Sequence, residues 1–199
     1  VGMEASEPWV PLSDGQLAEP FVPAVIQNTD SPRASEQVAF LQLSGGTTGV
    51  SKLIPRTHAA YLYSVRGSAD ICNLTCNTTM LVALPAAHNF TMSSPGILGA
   101  MCVQAKMVFA ADPSPQTACA LIENEGVTFT ALVPPLAQAW VASAEKRGVQ
   151  LPSLSVPQVG GAKLAATVAG KIESVLGVQV QQVFGMAEGL VNYTRAGDS

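Results

Sequence analysis

The chain is poor in charge. Asp, Glu, Lys and Arg make up only 12% of its 199 residues, against 48% hydrophobic. So little charge leaves few solvated faces and argues for elements buried on both sides. Basic residues are in deficit. The net charge of -4 and a pI near 5.1 leave no electrostatic footprint for nucleic acid. No apolar run of about 18 residues is present, so no helical membrane span is expected. No basic segment followed by an apolar core opens the chain, so no secretory signal is expected and the cytoplasm is the expected compartment. The four cysteines, Cys72, Cys76, Cys102 and Cys119, form no CxxC pair and have no His pair nearby. That excludes the usual zinc and disulfide frameworks and predicts buried, reduced thiols in a cytosolic α/β domain. The chain starts at Val1 and stops on "RAGDS", which reads as a piece of something longer.

What is present is alternation. Residues 1–37 are rich in Pro, Glu, Asp and Ser and read as a loosely structured lead-in. From residue 38 on, short apolar runs alternate with longer helical patterns. "VAFLQLS" (38–44), "TMLVALP" (79–85), "KMVFAA" (106–111), "VTFTALVP" (127–134), "SVPQVGG" (155–161) and "VQVQQVFG" (178–185) read as strands. Helices are expected near 57–72, 93–104, 115–125, 135–147 and 164–176. Two of them open on Ser-Pro pairs, and "EKRG" and "VLG" read as stops. This spacing predicts an α/β fold for 38–199: right-handed crossovers, a mostly parallel sheet and helices on both faces. Ligands in such sheets sit at the carboxyl ends of strands. Three polar stretches fall there: "SGGTTGVSK", "PAAHNF" and "FGMAEG".

The first stretch is a glycine-rich loop, but of neither common nucleotide type. Lys52 does not follow a glycine and no Ser or Thr follows it, so the P-loop pattern fails. Gly45 and Gly46 are adjacent, so GxGxxG fails too. The loop still offers backbone N–H groups, the hydroxyls of Ser44, Thr47 and Thr48, and one cation. That inventory suits the phosphate tail of ATP, and it also suits an ordinary Gly-rich turn.

The motifs in order narrow the choice. "SGGTTGVSKLIPRTH" resembles the phosphate loop of the adenylate-forming superfamily, which includes acyl-CoA synthetases and non-ribosomal peptide adenylation domains. "LPAAHNFTMSSPG", "QVGGAKL" and "QQVFGMAEGLVNYTR" resemble its following core motifs. Together they resemble the 2,3-dihydroxybenzoate–AMP ligases of catecholate siderophore biosynthesis. The resemblance implies ATP-dependent conversion of an aryl carboxylate to aryl-AMP with release of pyrophosphate. It then implies transfer to the phosphopantetheine thiol of an aryl carrier protein, with ATP and Mg2+ as cofactors. A salicylate-AMP or other aryl-CoA ligase, or a non-catalytic nucleotide-binding module, is the alternative.

The resemblance also assigns roles. Ser44, Gly45, Gly46, Thr47, Thr48, Gly49 and Lys52 would hold the departing pyrophosphate, with Ser51 where the family commonly has proline. Gly160, Gly161, Ala162, Phe184 and Gly185 would line the adenine site. Glu188 would be the magnesium carboxylate, in keeping with a hard cation that bridges phosphates and takes one or two protein carboxylates. His88 would lie near the reacting carboxylate and α-phosphate and, with Lys52, act in catalysis. Asn89, Phe90, Ser94, Val183, Met186 and Val191 would surround the aryl acid, as apolar walls with a few placed polar groups. His58, in "PRTH", is read as a helix-capping or packing residue. The family's ribose aspartate and C-terminal lysine fall beyond this stretch. Asp198 comes too early to be that aspartate, so the 199 residues alone are expected to be inactive.

Overall fold

The computed structural model describes residues 32–43 and 52–195. The elements, in chain order, are α1 (Pro32–Ser35), β1 (Val38–Leu43), β2 (Leu53–Thr57), α2 (His58–Ile71) and β3 (Thr79–Val82). Then come α3 (Asn89–Ser93), α4 (Gly96–Cys102), β4 (Lys106–Phe109), α5 (Pro115–Glu125) and β5 (Phe129–Leu132). The chain continues through α6 (Pro134–Arg147), β6 (Val156–Gly160), α7 (Ala166–Leu176), β7 (Gln181–Gly185) and β8 (Val191–Tyr193).

Six strands form one sheet in the order β4-β3-β5-β6-β7-β8. The first five are parallel, and β8 closes the edge antiparallel to β7. The expected α/β architecture is therefore present. Side chains alternate across the sheet because the strand period is two. Leu81, Leu132 and Val159 face a core shared with Ile122, Trp140 and Ile172 of α5, α6 and α7. Met80, Val82 and Phe129 face a second core shared with Ala69 and Ala100 of α2 and α4. The chain leaves β3 toward β4 on one side and returns through α5 to β5 on the other. The carboxyl end of β3 is thus the switch point where such sheets bind ligands.

The helices start and stop where local chemistry dictates. Ser114 caps α5 by accepting a hydrogen bond from the Thr117 N–H at 3.3 Å, with Pro115 in the first turn. α6 opens on Pro134, and Gly148 and Gly177 follow the ends of α6 and α7. Trp140 is buried under α5 and donates its indole N–H to the Pro113 carbonyl at 3.1 Å.

Several expectations need correction. Residues 38–43 do not join the main sheet. β1 pairs antiparallel with β2, a strand the sequence reading missed, so the Gly/Thr loop closes a hairpin rather than linking a strand to a helix. The short apolar run after the loop carried no clear period. The helix expected over 93–104 is α4, and α3 before it was not expected; the two are separated at Ser94-Pro95 because a proline disfavours helical geometry in the residue before it. The last parallel strand begins at Gln181, and Val178 and Val180 pack into the core from the preceding loop. β8 was not foreseen. Cys72 and Cys119 are buried as expected, whereas Cys76 and Cys102 are exposed. His58 starts α2 but does not cap it: the cap is Thr57, whose hydroxyl accepts from the Ala60 N–H. Of the lead-in, only 32–37 is described, and it holds the four-residue α1.

Candidate active site

The carboxyl ends of β3, β6 and β7 point the same way because the strands are parallel; β3 runs into "PAAHNF", β7 into "FGMAEG" and β6 into "GGAKL". The β6 and β7 ends frame an open cleft of about 520 Å3. Gly161, Ala162 and Lys163 form one wall and Phe184 and Gly185 the other. Phe184 is 59% exposed although it lies within a strand, so its ring is a wall of this cleft and not part of the core. Gly160, the last residue of β6, is glycine for a steric reason. A Cβ there would lie 2.9 Å from the Val183 carbonyl oxygen and 3.0 Å from Phe90 Cζ.

That contact leads to the second part of the site. Phe90, Ala131 and Val183 form a small buried cluster, with Leu84, Val191 and Tyr193 against it. Four expected aryl-site residues thus gather around one apolar floor or its rim: Phe90, Val183 and Val191 in the cluster, and Asn89 at the start of α3. Met186 is not part of the buried cluster. It sits exposed in the turn after β7, where its N–H donates to the Leu190 carbonyl at 2.9 Å.

Asn89 is held by its oxygen end. Its Oδ1 accepts from the Tyr61 hydroxyl at 3.0 Å and from the Ser93 hydroxyl at 3.0 Å. With Oδ1 doubly occupied, the amide N–H2 is the end left to meet a ligand. Tyr61 in turn accepts from the Gln42 amide at 3.1 Å. Burial pushes the Tyr61 phenol up, so it remains a neutral donor, although hydrogen bonding to Ser93 and the Arg56 charge pull the other way. His88 is the N-cap of α3. Its Nδ1 accepts from the Phe90 N–H at 3.2 Å, so a neutral ring carries its proton on Nε2.

Ser94 lies at the carboxyl end of α3 rather than at a helix start, and it is 4% exposed. Beside it lies the Tyr193 phenol, raised well above its ordinary value by burial. That hydroxyl has no direct hydrogen bond among the described residues, although Ser68 and Ser94 approach it.

Glu188 is exposed in the 186–190 turn between β7 and β8. Among the described residues no group of three or more His, Cys, Asp or Glu could hold a metal alone. A lone exposed carboxylate fits an ion that arrives on a nucleotide and keeps its waters. Lys52 is exposed at the start of the hairpin's return strand. Ser44, Gly45, Gly46, Thr47, Thr48 and Gly49 lie outside the described residues, as does Asp198.

Sequence reasoning missed Gln42, Arg56, Tyr61 and Ser93. Arg56 and Tyr61 stand beside His58, which drew the attention in "PRTH". Their signal was available only as a charged residue alternating with apolar ones in β2.

The chain belongs to the AMP-binding enzyme family, whose sequence model matches residues 4–198. The chain is 51% identical over 193 residues to the 2,3-dihydroxybenzoate-AMP ligase of Bacillus subtilis, covering 97% of this chain and 34% of that protein. It is 53% identical over 160 residues to the salicyl-AMP ligase / salicyl-S-ArCP synthetase of Mycobacterium tuberculosis, covering 80% of this chain and 28% of that one. It superimposes on the apo structure of Mycobacterium smegmatis MbtA with a TM-score of 0.75 at 54% identity, covering 81% of this chain and 29% of the other. The chain spans about a third of the length of the curated relatives it matches.

Proposed function

We propose that this chain is the ATP- and aryl-acid-binding part of an enzyme that adenylates 2,3-dihydroxybenzoate and passes the acyl group to a carrier-protein phosphopantetheine thiol in siderophore biosynthesis. The observation that carries the reading is the junction of two sites through Gly160. An exposed aromatic and a glycine-rich wall frame a nucleotide-sized cleft, and an apolar floor topped by a donor amide lies immediately beside it. Adjacency is what the reaction requires. The carboxylate must reach the α-phosphorus in line, and fixing two anions at that distance supplies much of the rate.

In this reading Phe184 packs on adenine, with Gly160, Gly161, Ala162 and Gly185 lining the plane. Lys52 and the residues 44–49 hold the pyrophosphate. Glu188 receives Mg2+, which supplies charge neutralisation on the phosphates. Asn89 holds the aryl acid over Phe90, Val183 and Val191, with Met186 at the rim, and His88 faces the reacting groups from the head of α3. The family's ribose aspartate and C-terminal lysine lie outside these residues, so the 199-residue chain by itself forms no acyl-adenylate.

Relatives named for 2,3-dihydroxybenzoate and for salicylate match at near-equal identity, 51% and 53%. Overall similarity therefore does not choose the acid, and the choice rests on Ser94. A hydroxyl that partners the substrate's 3-hydroxyl disfavours salicylate, because the site's polar group is then left unpaired in a dry environment. The test is ATP–pyrophosphate exchange by a full-length enzyme carrying this chain, with each acid, for wild type and Ser94→Cys. Wild type is expected to prefer 2,3-dihydroxybenzoate. The cysteine variant is expected to shift the kcat/KM ratio toward salicylate by about tenfold. An unchanged ratio removes Ser94 from the specificity site, and absence of exchange with any aryl acid favours the non-catalytic nucleotide-binding module.

A further inference from the structure

We propose that Arg56 is a positioning residue for the nucleotide end of the site: it clamps the 186–189 turn, which carries Glu188, onto the hairpin whose loop carries Lys52. This rests on the adenylation reading and adds to it a residue and a way of acting.

Arg56 lies on β2 and is 8% exposed. A buried cation needs a counter-charge or dense hydrogen bonding to offset its lost hydration. Neither is present in the described residues. The ion pairs there are Lys106–Glu125 and Lys171–Glu145, both far from β2 in sequence. Of the five N–H donors on the guanidinium, one is placed: Nη1 donates to the Ala187 carbonyl at 3.3 Å. The charge also stands over the Tyr61 ring, with Cζ 5.6 Å from the centroid. That is thin compensation for a cation so buried.

The same guanidinium fixes the other flank of Glu188. A Cβ on Gly189 would lie 2.7 Å from Nη1 and 2.8 Å from Cζ and Nη2, so the plane of Arg56 rests directly against that glycine. Gly189 also has a φ of +117°, which side-chain-bearing residues rarely adopt. One side chain thus touches the residue before Glu188 and the residue after it. It reaches them from a strand 131 positions earlier in the chain. The carboxylate between these two contacts is held at a set place relative to the hairpin, and the buried charge is complemented when the polyphosphate arrives. A planar fork suits this geometry, and a lysine point charge does not.

The hairpin's other strand is tied down separately. Gln42 of β1 reaches Asn89 through the Tyr61 hydroxyl, on the aryl side of the site. Arg56 touches the same Tyr61 only through its ring, whereas its contacts with Ala187 and Gly189 are direct, and that difference makes the proposal testable.

The test uses a full-length enzyme carrying this chain and titrates the α,β-methylene analogue of ATP with Mg2+ by calorimetry. Arg56→Ala is expected to weaken binding and raise the half-saturating Mg2+ roughly 10- to 100-fold, the range for groups that orient a metal ligand. Binding of 2,3-dihydroxybenzoate without nucleotide should change much less, because Arg56 reaches Asn89 only indirectly, over the Tyr61 ring. Arg56→Lys should recover part of the loss. Gly189→Ala, which pushes the guanidinium off the turn while leaving it present, should reproduce the nucleotide defect if Arg56→Ala fails to fold. Nucleotide binding and Mg2+ dependence like wild type in Arg56→Ala, with only a lowered melting temperature, would overturn the proposal. So would equal losses for nucleotide and aryl acid. If wild type binds the analogue but exchanges pyrophosphate with no aryl acid, the adenylation reading fails, and the Arg56 clamp is still judged on the binding data.

Discussion

In the six-stranded sheet Met80, Leu81, Leu132 and Val159 are buried. In the β1–β2 hairpin Leu41, Leu43 and Leu53 are exposed, Leu43 by 67%, and the buried side chains are Gln42 and Arg56. Both follow the strand period of two, but with opposite polarity toward the rest of the molecule. The sheet is held by apolar burial, worth about 1.5–3 kcal/mol for each large side chain. The hairpin is held to the site by hydrogen bonds and one cation, with the Phe40 ring packed at a tilt of 39° on Tyr61, 4.5 Å between centroids. The sheet thus supplies stability and the hairpin supplies aim. The hairpin's polar inner face meets the two segments that carry Asn89 and Glu188, where directional bonds fix positions that apolar contact would leave free to slide.

The comparison is broken most severely from the sheet side. Trp140→Ala should cost about 3–5 kcal/mol, as large aromatic truncations in cores do. Leu43→Ser on the hairpin should lie within about ±0.5 kcal/mol, as exposed substitutions do. Denaturant unfolding of a full-length enzyme carrying each change measures both, and similar losses would erase the distinction.

A second pair sharpens it at the site. Lys52→Ala and Glu188→Ala should each lower kcat/KM for pyrophosphate exchange by about 10²–10³-fold, the usual cost of a lost transition-state contact. Both residues are exposed at strand ends, so melting temperature should hardly move. A variant that melts early yet keeps full activity per folded molecule would assign its residue to the fold instead.

The smallest effect is a pH dependence. Burial raises the Cys72 thiol from 9.0 to about 12, with the Gln158 amide a lesser, opposing influence at 3.1 Å. The thiol is protonated in both states below pH 9, so its contribution is complete there. Between pH 9 and 12 the unfolded chain ionises while the folded chain resists, and stability declines. Tyr61 and Tyr193, also raised by burial, act in the same direction above pH 10. Melting temperature measured from pH 8 to 11 should fall, and fall less in Cys72→Ala. A slope unchanged by Cys72→Ala would place the alkaline loss elsewhere.

The apolar runs and Ser-Pro and Gly boundaries of the sequence determined the five parallel strands and the helices α2, α5, α6 and α7, because periodicity and capping are local. The four ordered motifs likewise pointed to Asn89, Phe90, Val183, Phe184 and Glu188 as candidates, since a motif is a local string. The hairpin, the β8 edge and the break at Ser94-Pro95 were decided in three dimensions. There, partner strands and packing outweigh a short run's weak preference. Arg56 left only a weak trace in the sequence. A cation in a strand reads as a solvated edge residue, and only the approach of a turn 131 positions later makes it a buried one. Burial of a charge depends on what folds over it, and no local string records that.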